Sequence, residues 1–130
     1  MKCSECHIEM SSYSTPEVVR HIKREFEEYV SVCPRCFKMI QSDIVDEIIE
    51  LNEIDEDLPK GEVGIIMAIG IGWLMESLVL NKNEVVAIFE HIMDEGRDPW
   101  IVLEKLSRSS TTNVKKNINK ARLQLEQLIK

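Results

Sequence analysis

The hydropathy pattern is dominated by Val63–Met75, thirteen consecutive residues without a charged side chain, closed by Glu76. The run is too short to span a bilayer, which asks for ~20 apolar residues. Apolar on every side, it predicts a helix buried at the centre of a helical domain; a buried strand over residues 65–71 is the competing reading. Gly64, Ala68 and Gly72 fall at i, i+4 and i+8, so one side of that helix is nearly bare. Such a stripe predicts close approach of another helix, within the chain or across a homodimer seam. Glu76 is expected at the helix end with its carboxylate in water, because a buried carboxylate is expensive.

Amphipathic segments flank this run. Thr15, Pro16 and Glu17 read as a cap, a first-turn proline and a favourable negative charge, with Val18, Val19, Ile22 and Phe26 as the apolar stripe of a short helix. Ile8–Tyr13 and Glu28–Val32 read as strands on either side of it. Ile44, Ile48 and Leu51 keep helical spacing until Asp55–Pro59 turns the chain. After the central run, Asn81 stands three residues before Glu84 in capping-box spacing, and Val85, Ile88, Phe89 and Ile92 share a face up to Gly96. Asp98 is a cap, Pro99 a first helical residue, and Trp100, Leu103 and Leu106 a buried side. Ser107–Thr112 is a polar linker. In the last segment, Val114, Ile118, Ala121, Leu125 and Leu128 form a narrow seam.

Four cysteines change this picture of a helical protein. Cys3-Ser4-Glu5-Cys6 and Cys33-Pro34-Arg35-Cys36 share one spacing and leave no cysteine over. Zinc takes four thiolates in a tetrahedron, and each C-x2-C turn brings two of them to one metal from a single tight loop. The 26 intervening residues, His7 to Val32, can fold out and return. One structural Zn2+ held by Cys3, Cys6, Cys33 and Cys36 is therefore expected, and a full thiolate shell disfavours catalysis at the metal. A haem-attachment motif at Cys3–His7 calls for an export signal that residues 1–12 lack. A thioredoxin-like pair at Cys33 and Cys36 calls for a βαβ setting, and disulfides rarely persist in a reducing compartment. The expected fold class is thus mainly α with a small α+β zinc-ribbon lobe: an N-terminal four-cysteine zinc ribbon over 1–40, an acidic connection over 41–62, and a helical bundle around the apolar central helix over 63–130. A lobe of ~40 residues buries too little to fold alone, so the metal supplies much of its folding free energy.

Composition fits a globular chain of 130 residues with 44% apolar residues. A net charge of −7 argues against a general nucleic-acid coat, which needs concentrated Lys and Arg. Residues 41–62 carry nine acids against one base, and 106–130 one acid against six bases. Asp43, Asp46, Glu47 and Glu50 lack the interleaved Asp/Asn and central Gly of a calcium loop and read as a solvated face. His91, beside Glu90 and Asp94, has no second histidine at ligand spacing, and His7 and His21 read as surface or supporting groups.

The chain resembles a family of small archaeal proteins, abundant in haloarchaea, known as zinc-ribbon-containing proteins of unknown function. The likeness rests on the two C-x-x-C turns, Leu58-Pro59, Leu74-Met75-Glu76-Ser77-Leu78, Gly96-Arg97-Asp98-Pro99 and Leu125-Glu126-Gln127-Leu128. Abundant Lys and Ile set this chain apart from halophilic members. The resemblance implies a zinc ribbon on a helical body in archaeal cytoplasm and supplies no activity.

With no phosphate loop, nucleophile elbow or other catalytic constellation, the preferred function is a non-enzymatic binding or adaptor protein. Its partner would be another protein or a second copy, with Gly64, Ala68 and Gly72 at the interface; neither a membrane nor a small-molecule substrate is indicated. One alternative is a transcription-associated nucleic-acid binder using Lys115, Lys116, Lys120 and Arg122, or Lys23, Arg24 and Arg35 around the ribbon. The other is a thiol-based redox enzyme, which predicts rapid alkylation of Cys33 or Cys36.

Overall fold

A computed structural model describes residues 2–42, 58, 61–108 and 115–129. Among these, the chain forms a three-stranded antiparallel sheet carrying the four clustered cysteines, followed by a mainly helical region. Strand β1 (Ser11–Ser14), helix α1 (Glu17–Ile22), β2 (Tyr29–Val32) and β3 (Met39–Ser42) make the first part. Helices α2 (Glu62–Glu76), α3 (Leu78–Asp94), α4 (Pro99–Arg108) and α5 (Lys115–Ile129) make the second. No helix among the described residues is long and apolar enough to cross a membrane.

The sheet runs β1-β2-β3, with Tyr13 opposite Val30 and Val30 opposite Gln41. Alternation places Tyr13, Val30 and Val32 in the core. Strand β3 is an element the sequence reading did not include. Met39 and Ile40 give it little apolar signal of its own, and its stability comes from the ladder with β2. The helix expected over 44–51 lies outside the described residues.

The first helix is shorter than its apolar stripe. It ends at Ile22, and Phe26 reaches the core from the turn beyond. Thr15 does not cap it: the hydroxyl donates to the Glu27 carbonyl at 2.7 Å, and the Thr15 N–H donates to Glu28 O. Those bonds tie the two ends of the β1–β2 connection together.

The apolar run is a helix, not a strand, and α2 is buried over nearly its whole length. Its bare stripe is consumed inside the chain: Gly64, Ala68 and Gly72 are all buried. A Cβ at Gly72 would stand 2.8 Å from Met39 Cγ of β3, and one at Gly70 would stand 2.7 Å from Ile88 Cγ2 of α3. The close approaches at Gly72 and Gly70 are thus to the sheet and to α3. Glu76 is exposed at the end of α2, as its cost in a core requires.

The break between α2 and α3 falls at Ser77, in extended conformation, four residues before the cap the sequence suggested. Its Oγ accepts the Leu80 N–H at 3.2 Å. Asn81 instead sits buried inside α3, donating from Nδ2 to the Trp73 carbonyl at 3.0 Å, which answers an end-of-helix acceptor of α2. Helix α3 ends as predicted: Gly96 takes φ 81°, its N–H bonds Met93 O, and the Arg97 N–H bonds Ile92 O. Asp98 caps α4, with Oδ1 accepting from Trp100 N at 2.9 Å and Ile101 N at 3.3 Å. On α5, Ile118, Ala121 and Leu125 are buried against the body; Val114 and the Leu128 side chain lie outside the described residues. One apolar core runs from Tyr13, Phe26, Val30 and Phe37 through α2 to Leu125. The Phe26 and Trp73 rings meet edge to face at 5.8 Å, joining the sheet part to the helices.

Candidate metal centre

Two loops of the same build present the cysteines. In the first, the His7 N–H donates to Cys3 O at 2.9 Å and the Cys3 N–H to Ile8 O at 2.9 Å. In the second, the Phe37 N–H donates to Cys33 O at 2.9 Å and the Cys33 N–H to Lys38 O at 3.0 Å. These paired bonds curl each C-x2-C segment into a knuckle, and the residue after each second cysteine takes a left-handed conformation: φ 59° at His7 and 62° at Phe37. The second knuckle connects β2 to β3; the first precedes β1, its flanks joined by a bridge between Lys2 and Glu9.

The structure brings together all four predicted ligands. Their Sγ atoms lie within 4.8 Å of one another, and Cys3 Sγ and Cys36 Sγ are 3.7 Å apart. Zn–S bonds of about 2.3 Å in a tetrahedron set the sulfurs about 3.8 Å apart, so the cluster has the ligand set and the approximate size that ion needs. All four are free thiols, not disulfides. Backbone N–H groups point at the sulfurs, as a thiolate shell wants: Cys6 N at 3.5 Å from Cys3 Sγ, and Arg35 N and Cys36 N at 3.4 and 3.5 Å from Cys33 Sγ.

Proton affinity differs around the cluster. Burial pushes the Cys36 and Cys6 thiols up. At Cys3 burial acts the same way but is outweighed by the N–H groups of Cys6 and Glu5 and the thiols of Cys36 and Cys33, which bring it down to about 7. Four sulfurs packed this closely are well placed to share one cation.

Cys3, Cys33 and Met10 make a small apolar cluster of their own, with Cys6, Ile8, Cys36 and Ile40 against it. Phe37, wholly buried, belongs instead to the main core and pins the second knuckle to it. Sequence reasoning missed Phe37; an aromatic directly after a C-x2-C turn is the signal that was there to find.

The other candidates scatter. Of the two cysteines of the thiol-enzyme reading, Cys33 is fully buried and Cys36 half-buried. Lys120 is exposed and Arg122 half-buried on α5, while the side chains of Lys115 and Lys116 lie outside the described residues. His7 and His21 are exposed, and His91 Nε2 stands 3.9 Å from Glu95 Oε1 one turn along α3. The acidic run at Asp43, Asp46, Glu47 and Glu50 lies outside the described residues.

Residues 2–129 match the model of a family of unknown function (DUF6276). No curated protein and no solved structure matches the chain.

Proposed function

The chain belongs to DUF6276, which carries no assigned activity, and we propose that it is a non-enzymatic zinc-binding interaction protein whose zinc is structural. The observation that carries this reading is the closed four-thiol shell, with its second knuckle rooted in the main core through Phe37. A shell of four thiolates offers no position for a water or a substrate, and one tied into the core stabilises the fold directly. The helical body then presents the interface. Among the described residues its most exposed large apolar side chains are Val79 and Leu80 at the α2–α3 corner, 86% and 80% accessible, and a second copy of this chain is the first partner to test.

Trp73 reports on the staple because it packs on Phe26 from the metal-bearing part. In a Trp100→Phe chain, zinc removal with EDTA should shift Trp73 emission to longer wavelength, and zinc, but not magnesium, should restore it. Unchanged emission after verified zinc loss would remove the structural role. Light scattering across concentrations tests self-association, and a strict monomer at high concentration removes that partner. The exposed Lys120 supports a second reading, nucleic-acid binding by α5. It requires salt-dependent binding that weakens in Lys120→Ala, and no binding at low salt would eliminate it.

A further inference from the structure

The two knuckles share a backbone but not a setting. At the second, Phe37 is buried in the main core and Pro34 and Arg35 are partly covered. At the first, the equivalent His7 is exposed, as are Ser4 and Glu5. The first knuckle is held by the small cluster around Cys3 and Met10, by the Lys2–Glu9 bridge, and by an exposed bond from Lys38 Nζ to Ser4 Oγ at 2.7 Å. Segments with few buried contacts open first.

The sulfurs differ in the same sense. Cys3 and Cys33 are buried and accept the N–H bonds described above. Cys36 reaches solvent through a groove beside Lys38, Met39 and Glu76, but it stands on the knuckle that Phe37 anchors in the main core. Cys6 is partly exposed and stands on the first knuckle, and the N–H bonds given above go to Cys3 and Cys33 rather than to it. Hydrogen bonds to a metal-bound thiolate draw charge from it and dull it as a nucleophile.

We infer that Cys6 is the ligand at which the metal centre opens, the site where soft electrophiles and hydroperoxides modify the zinc-loaded protein. The inference rests on the structural-zinc reading. With hydrogen peroxide, the Cys6 thiolate attacks one oxygen, the O–O bond breaks, hydroxide leaves, and sulfenic acid forms on Cys6. A neighbouring thiolate of the cluster then attacks that sulfur and expels a second hydroxide. The two sulfurs have lost two electrons to the peroxide, a disulfide has formed, and zinc, short of two ligands, departs.

The test uses the zinc-loaded full chain, first shown by elemental analysis to hold about one zinc. N-ethylmaleimide is added below one equivalent and the adduct located by peptide mass spectrometry; a parallel sample is treated with peroxide and dimedone to trap the sulfenic acid. Cys6 should carry at least about five times the label of Cys3 or Cys33, the factor that one ordinary hydrogen bond supplies, and more than Cys36 on the anchored knuckle. Label led by Cys33 or Cys36, or shared evenly, overturns the inference and leaves structural zinc standing. A chain with four reduced thiols that binds no zinc overturns both.

Discussion

Phe37→Ala separates the anchor of the metal centre from its ligands. Phe37 is wholly buried in the main core yet directly follows a ligand, and its backbone conformation, φ 62°, is equally unfavourable for phenylalanine and alanine. The substitution therefore isolates the side chain. Truncating a buried phenylalanine costs about 3–5 kcal/mol. If the metal-bearing part folds only with its ion, that loss appears in zinc affinity, and at 1.4 kcal/mol per decade it amounts to about two to three and a half orders of magnitude. The control is His7→Ala, the same backbone position in the first knuckle, where the exposed side chain should leave affinity within about tenfold. Competition against a chromophoric chelator at fixed pH measures both. Equal losses in the two variants, or none in Phe37→Ala, would refute the claim that the second knuckle is rooted in the core.

Zinc binding at pH 7 should release at least two protons, because burial raises the Cys6 and Cys36 thiols and keeps them protonated without metal. Affinity must then fall as pH falls; calorimetry in buffers of different ionisation enthalpy counts the protons, and fewer than two contradicts the assignment. Gly70→Ala should destabilise the zinc-saturated protein in urea by about 1–2 kcal/mol, since its Cβ meets the stiff, buried Ile88 at 2.7 Å and the overpacking outweighs the gain in helix propensity. Gly72→Ala, which meets only the Met39 side chain, should stay within about 1 kcal/mol of the parent; the reverse order would refute the packing argument. Asp98→Ala removes the acceptor of two N–H groups at the start of α4 and should cost about 1 kcal/mol in the same assay.

Local rules were legible wherever a residue's partners lie within a few positions of it. Gly96 ends one helix and Asp98 begins the next as read, because a left-handed turn and a cap are settled by four or five adjacent residues. Thr15 and Asn81 looked like caps by the same rules, and both failed for one reason. Each found a partner outside the local window: the Glu27 carbonyl across the β1–β2 connection, and the Trp73 carbonyl of the preceding helix. Strand β3 was missed because its ladder with β2 does not depend on its own hydropathy.

The sequence by itself determined the ligand set and the central helix. Coordination chemistry fixes how far apart two cysteines in one turn can stand, and thirteen uncharged residues leave few places other than a core. Only the tertiary structure decided how those parts are used. It set Gly72 against Met39 and Gly70 against Ile88, buried Phe37 beneath one knuckle, and left His7 in water beside the other. Two turns of identical spacing thereby became unequal, because a motif specifies its own hydrogen bonds but not what packs against it.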